Sequence, residues 1–250
     1  ERVEGHVTRE LPSDSFYDFF SQPRLFWNSL AAFERKDLIN SFSFHLQNVK
    51  SRSVRQQNVE MWANVDRGMA CIIADNIGVN RPKGSHVPES RWSPAISMAN
   101  TTYSAYTQKV AVLIGENFNS REVFPVLNTL KQHGVFIDIL SEKLGTVRGD
   151  DGRKLEVDET FKTKDPTLYD SFYIVGGRAD NQARFNRNII EYFKSAYKYY
   201  KPIGVATTGQ HYIKPSKTNT LVGVIYATNN PDFQSEFIAA ITHQRFWNRI

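Results

Sequence analysis

The chain has 250 residues, of which 40% are hydrophobic and 23% charged, with 17 Phe and 11 Tyr. This is ordinary globular composition, with enough aromatic side chains to fill a core, so wholesale disorder is excluded. The net charge is +5 from 31 basic and 26 acidic residues, interleaved along the chain; the densest basic cluster, Lys50-Ser51-Arg52-Ser53-Val54-Arg55, matches no nucleic-acid-binding motif, and no nucleic-acid partner is expected.

The chain opens Glu1-Arg2-Val3, with no Met and no charged-then-apolar leader. Either an initiator Met has been removed or the chain starts inside a longer polypeptide. Residues 1–80 read as helical. From Ala31 to Val49, the apolar positions Leu38, Phe42, Leu46 and Val49 share one helix face. A second run, Val54, Asn58, Met61, Val65, Met69 and Ile72, keeps the same period and ends at Gly78, a residue suited to the left-handed position after a helix. Ahead of these helices, or at their start, lie Phe16, Tyr17, Phe19, Phe20, Phe26, Trp27 and Phe33. So many large apolar groups in about 80 residues need a partner surface to cover them. The single cysteine, Cys71, has no partner for a disulfide or a zinc site. Its neighbours Ala70, Ile72 and Ile73 predict a small core residue, and a cytoplasmic setting is expected.

The stretch from 79 to 107 changes character: Pro82, Pro88 and Pro94 punctuate a Ser- and Thr-rich sequence without apolar periodicity. It reads as an irregular linker, with Trp92 and Ile96 laid down on a surface. The expected organisation is therefore a helical segment over 1–80, a linker over 81–107 and an α/β domain over 108–250.

From Lys109 strands and helices alternate. Val110 to Ile114 is wholly apolar, as in a strand buried on both faces of a parallel sheet. A helix follows, with Asn119 at its N-cap, Glu122 three residues on, Val123, Leu127 and Leu130 on one face, Pro125 inside it and Gly134 after it. Val135 to Leu140 and Phe172 to Val175 are further strands, the latter closed by Gly176-Gly177. Between them, Gly145 to Gly152 is expected to be a hairpin turn around Asp150-Asp151. Ile189, Phe193, Ala196 and Tyr200 mark a helix, Ile203 to Ala206 and Val222 to Ala227 two strands. A last helix begins near Asn230-Pro231 and carries Phe233, Phe237, Ala240 and Ile241 on one stripe. This alternation predicts a doubly wound α/β domain.

Ligands of such sheets bind beyond the carboxyl ends of the strands, which directs attention to Gly115–Ser120, Gly176–Asp180 and Ala206–His211. The last has the form of a nucleophile elbow, Ala206-Thr207-Thr208-Gly209-Gln210. In this and in the preceding Lys201-Pro202 the sequence resembles the class I glutamine amidotransferase-like and intracellular-protease superfamily, which implies a flavodoxin-like fold. The resemblance puts Thr207 at the family's nucleophilic Cys, Thr208 at the neighbouring His, Asn119 at the acidic residue of the first loop, and Gly176 and Gly177 in the oxyanion region. A threonine hydroxyl is a poor nucleophile without a base, and neither Thr208 nor Asn119 accepts a proton; His211 lies four residues on. The first loop lacks a phosphate cradle, and Glu116 would repel a phosphate. The six histidines show no metal-ligand spacing. No catalytic, cofactor-binding or metal residue is expected in the chain.

Phe20-Ser21-Gln22-Pro23-Arg24-Leu25-Phe26-Trp27, Ser41-Phe42-Ser43-Phe44 and Lys50 to Arg55 resemble the helical segment near the end of the large-subunit haem catalase core. In that family a linker and an amidotransferase-like domain follow, ending in His-x-x-Trp-x-Arg; this chain has His243-Gln244-Arg245-Phe246-Trp247-Asn248-Arg249, offset by one residue. The resemblance covers essentially the whole chain. It implies a haem-containing parent that disproportionates hydrogen peroxide, with the catalase core of the same polypeptide and its homotetramer as partners. The family's haem-ligand tyrosine, in an Arg-x-Phe-x-Tyr motif, is absent, as is the region of the distal His and Asn. The expectation is thus a non-catalytic carboxyl-terminal region supporting stability and tetramer assembly, with chaperone-like binding of unfolded clients through exposed apolar surface. The alternatives are an independent amidotransferase- or protease-like hydrolase with its elbow at Thr207, and a flavin or nucleotide module. With no apolar run of roughly 18 residues, no membrane partner is expected.

Overall fold

The computed structural model describes residues 4, 5, 11–84, 91–213 and 221–249; Glu1-Arg2-Val3 and Pro88 lie outside them. The chain divides into two compact units, Glu1–Thr101 and Thr102–Ile250.

Among the described residues the first unit contains four α-helices, α1 (Ser21–Ser29), α2 (Ala32–Gln47), α3 (Arg52–Trp62) and α4 (Arg67–Ile77). The single helix expected from Val54 through Ile72 is two. Asp66 leaves the helical backbone conformation and its carboxylate accepts the Met69 amide at 2.7 Å, starting α4 afresh. The expected stripe is also displaced: Val54, Met61 and Ile72 are exposed, and the buried face is carried by Val59 in α3 and by Met69, Ala70, Ile73 and Ile77 in α4. Gly78 ends α4 with φ +69. Trp27, Val59, Met69, Ile73 and Ile77 are among the side chains that form the core of this unit. Cys71 is only half-buried, on the flank of α4, because the inward face belongs to Ala70, Ile73 and Ala74. Glu34 is the main polar fastener. One of its oxygens accepts the Ala31 amide and the Ser97 hydroxyl, both at 2.7 Å, and the other accepts the Met98 amide at 2.8 Å. Together with the Ser93 amide donating to Ser29 Oγ at 2.8 Å, these bonds lay residues 93–98 on α1 and α2. Ile96 packs against the helical core, whereas Trp92 is exposed.

The second unit begins with β1 (Lys109–Ile114), α5 (Ser120–Gln132) and β2 (Phe136–Ser141). The hairpin β3 (Gly145–Arg148) and β4 (Lys154–Val157) follows, then a two-residue β5 (Glu159–Thr160). β6 (Ser171–Gly176), α6 (Gln182–Lys198), β7 (Ile203–Val205), a 3-10 helix (Thr207–Tyr212), β8 (Val224–Tyr226) and α7 (Phe233–His243) complete it. The main sheet has the order β5-β2-β1-β6-β7-β8 and every pairing in it is parallel. With β5 set aside as an edge addition, this is the flavodoxin-like order, and its topological switch lies between β1 and β6.

Parallel strands need cover on both faces, and they have it. Val110, Val112 and Ile114 face α5 and α7, while Ala111 and Leu113 face α6. α5 starts where expected, the Asn119 carboxamide accepting the Arg121 and Glu122 amides at 3.1 and 3.2 Å. Tyr200 is not part of α6. It takes φ +61, and its carbonyl accepts the Phe246 amide at 2.8 Å, so the polypeptide end is drawn back over the sheet. There Arg249 donates from Nε to the Val222 carbonyl at 2.6 Å and from Nη1 to the Tyr197 carbonyl at 3.2 Å, its guanidinium stacked 4.4 Å from the Tyr197 ring. Burial lowers its pKa to about 10.

Candidate functional site

The three loops singled out in the sequence converge at the carboxyl ends of β1, β6 and β7. Between β1 and β6, where a flavodoxin-like sheet usually opens, the backbone closes the gap. The Glu116 amide donates to the Arg178 carbonyl at 2.8 Å and the Arg178 amide to the Glu116 carbonyl at 2.7 Å, an antiparallel bridge across the switch. Gly176 and Gly177 permit this approach. Both have positive φ, +77 and +133, and a Cβ on Gly177 would lie 2.7 Å from the Gly115 carbonyl carbon. A Cβ on Gly176 would instead strike the Tyr212 ring at 2.5 Å.

The elbow after β7 is gentler than a strained nucleophile turn. Thr207 is not among the residues with positive φ, and the chain runs from Ala206 into the 3-10 helix. Gly209 relieves crowding at this turn, since a Cβ there would stand 2.2 Å from the Ile174 carbonyl oxygen. Thr208 Oγ1 donates to the Val175 carbonyl at 2.8 Å. The His211 ring is bonded through Nδ1 to the Thr208 carbonyl at 2.7 Å and lies on Tyr212, with centroids 3.8 Å apart.

One residue read only as a helix-start signal belongs to this cluster. Glu122 Oε1 accepts the Thr207 amide at 2.7 Å, tying the first turn of α5 to the elbow. Asn119, aligned with the family's acidic residue, spends its oxygen on the α5 amides instead. Thr207 and Glu122 are thus brought together, whereas Thr208 and His211 turn to backbone carbonyls. The sequence signal for Glu122 was present, a carboxylate one helical turn into α5, but only the fold aims it across β1 and β6. Tyr173 on β6 is fully buried and its hydroxyl has no hydrogen-bond partner; burial, with a lesser contribution from the Glu122 carboxylate, holds its pKa far above the usual phenol value.

Beside the switch point lies a small polar recess of about 200 Å³, lined by Glu116, Lys143, Arg178 and Asp180 among others. Its charges are largely matched within the chain: Lys143 pairs with Asp180, and Glu116 Oε2 accepts the Arg148 amide at 2.9 Å. Among the described residues no three His, Cys, Asp or Glu side chains gather as a metal site, and no helix is long and apolar enough to cross a membrane. The first unit carries a different feature, an apolar hollow of about 510 Å³ lined by Phe19, Phe20, Phe26, Phe42, Met61 and Trp62 among others, of which Phe19, Phe26 and Met61 are exposed.

Comparison with known proteins accounts for both units. Residues 13–77 match the family described as catalase-related immune-responsive, and residues 106–250 match the C-terminal domain found in long catalases. The chain is 39% identical to Catalase-2 of Bacillus subtilis and 37% identical to a catalase of Alkalihalophilus pseudofirmus, aligning over its whole length in both cases. It is 28% identical to Catalase HPII of Pseudomonas aeruginosa. In each case it covers 36% of the relative, so the chain spans about a third of the length of the curated relatives it matches. With a matching family over more than half its length and the flavodoxin-like sheet that family's fold implies, the chain belongs to the long-catalase C-terminal domain family, preceded here by the catalase-related helical segment.

Proposed function

We propose that this chain is the carboxyl-terminal region of a haem catalase whose preceding part disproportionates hydrogen peroxide to water and oxygen, and that the region itself stabilises the enzyme and its tetramer instead of turning over substrate. The observation that carries the reading is the state of the elbow. Where the related hydrolases need a thiol, an imidazole and a carboxylate, this chain offers Thr207, Thr208 and Asn119, and the polar atoms of Thr208 and Asn119 are already engaged by backbone. Two of the buried tyrosines are committed to other partners and do not fit a haem. Tyr169 donates to Asp138 at 2.9 Å and Tyr192 to the Lys164 carbonyl at 2.5 Å, both inside the sheet core, which leaves no tyrosinate facing space for a porphyrin from these two. No step is therefore assigned to iron in this chain.

The helical unit supports the same reading from another side. Its exposed aromatics, Phe16, Tyr17, Phe19, Phe26 and Phe44, together with the apolar hollow, are more than a small unit leaves in water, and the remaining two thirds of a catalase-length polypeptide is the natural cover. Residues 81–107 serve as the linker in this proposal, and a cytoplasmic setting with binding of unfolded clients belongs to it as well. In the full-length protein, removing residues 102–250 should leave haem absorbance and initial peroxide turnover in place while lowering thermal stability and the tetramer fraction. Rapid oxygen release from peroxide by the pure 250-residue chain, with a haem absorption band, would sink the proposal. A hydrolase centred on Thr207 is the competing reading; it requires a measurable activity that Thr207→Ala abolishes.

A further inference from the structure

The apolar hollow of the first unit holds a side chain that is both exposed and chemically soft. Met61, in the last turn of α3, is 46% exposed and lines the hollow beside Trp62, whose ring stacks on Phe42 with centroids 4.3 Å apart. The chain has three methionines. Met69 lines the same hollow from α4 but is 3% exposed, whereas Met98 is 50% exposed on the segment laid over α1 and α2, away from the hollow's lining. One thioether is thus exposed and in the hollow, one is in the hollow and buried, and one is exposed elsewhere.

A thioether is oxidised by hydrogen peroxide according to its access. The sulfur lone pair attacks one peroxide oxygen and the O–O bond breaks. The hydroxide released takes the proton left on the transferred oxygen and departs as water, so sulfur loses two electrons and the peroxide gains them. The product is a sulfoxide, a polar acceptor where a soft apolar group stood, and covering it without a donor is costly. Phe19, Phe26, Phe42 and Val65 in the same lining carry no side-chain donor to offset that cost. We propose that Met61 is a peroxide-sensitive switch on this surface: as the thioether it lets the hollow take apolar cover, and as the sulfoxide it refuses it. The inference rests on the catalase reading, which supplies both the oxidant, hydrogen peroxide, and the cover, the preceding part of the polypeptide. A helical unit left uncovered while peroxide is present is thereby marked, and stays so until the sulfoxide is reduced.

Peptide mass mapping of the 250-residue chain, treated with hydrogen peroxide and quenched at intervals, follows each thioether separately. Met61 and Met98 should gain one oxygen at similar rates, and Met69 about tenfold more slowly. Binding of a fluorescent apolar probe should fall about fivefold once Met61 is oxidised. Met61→Leu should bind the probe as the untreated chain does and keep that binding through the treatment, whereas Met98→Leu should lose it. Met61→Gln, polar from the start, should bind weakly with no peroxide added, and enzymatic reduction of the sulfoxide should restore binding in the unaltered chain. Loss of binding that persists in Met61→Leu, or Met61 oxidising as slowly as Met69, would overturn the proposal. Either result leaves the catalase reading standing, while haem-borne oxygen release by the pure chain would end that reading without changing the measured behaviour of Met61.

Discussion

Lys201 is the clearest case of a charged residue committed to architecture. It is 5% exposed, and its ammonium donates to three carbonyls, those of Pro166 at 3.0 Å, Thr167 at 3.2 Å and Tyr169 at 2.5 Å. Replacing it with Met leaves those acceptors unpaired in a site with little water, and should lower stability by about 3 kcal/mol in urea denaturation at neutral pH. Burial, followed by repulsion from Arg245, depresses the Lys201 pKa from 10.5 to about 8. The unfolded chain therefore binds the proton more tightly than the folded one. Between pH 8 and 10.5 the unfolded state carries more protons, so this group makes stability rise with pH there, by at most about 1.4 kcal/mol per unit. Lys201→Met should lose that slope, and an identical slope in both proteins would remove Lys201 as its source. Glu122 acts at the same scale. Glu122→Ala removes the acceptor of the Thr207 amide, and with water able to reach exposed Thr207 the expected loss is only about 1 kcal/mol. A loss several times larger would mean that Glu122 does more than close this turn.

Helix beginnings decide the elements of the first unit. Asp66 separates α3 from α4 with one carboxylate-to-amide bond at 2.7 Å, so Asp66→Ala should cost about 1 kcal/mol and show faster amide exchange over residues 66–70 than elsewhere in α4. Unchanged exchange there would mean that packing of Val65 and Met69, not the cap, sets the break. The elements of the second unit answer mainly to the sheet. β1 after Lys109 and β6 after Ser171 are buried on both faces and need cover there, which α5 and α7 supply on one side and α6 on the other. The hairpin is an insertion in this plan, and its anchorage to the first turn of α5 makes it part of the loop cluster.

For the molecule as a whole, the two units differ in self-sufficiency. Residues 102–250 hold two large core clusters on opposite faces of one sheet, so a polypeptide of those residues should fold alone and unfold in one cooperative transition. The helical unit keeps Phe16, Phe19, Phe26 and Phe44 at least 46% exposed and should bind a fluorescent apolar probe strongly until the rest of a catalase-length chain is supplied. Weak probe binding by residues 1–101, or failure of 102–250 to fold, would reverse this assignment of roles.

Local pattern by itself determined the α/β alternation, the Asn119 cap, the hairpin around Asp150-Asp151, the stripe of α7 and, through the motifs of both units, the family. Those features depend on neighbours a few residues apart, which sequence displays directly. What only the tertiary structure decided depends on residues far apart in sequence. Glu122 reaches Thr207 across 85 positions, and Asp150 reaches Ser120 across 30. The bridge of Glu116 to Arg178 closes a crevice that the strand order alone would leave open. The break at Asp66 and the exposure of Val54, Met61 and Ile72 are equally silent in the pattern, because an apolar repeat shows neither whether the backbone is continuous nor which face finds a partner.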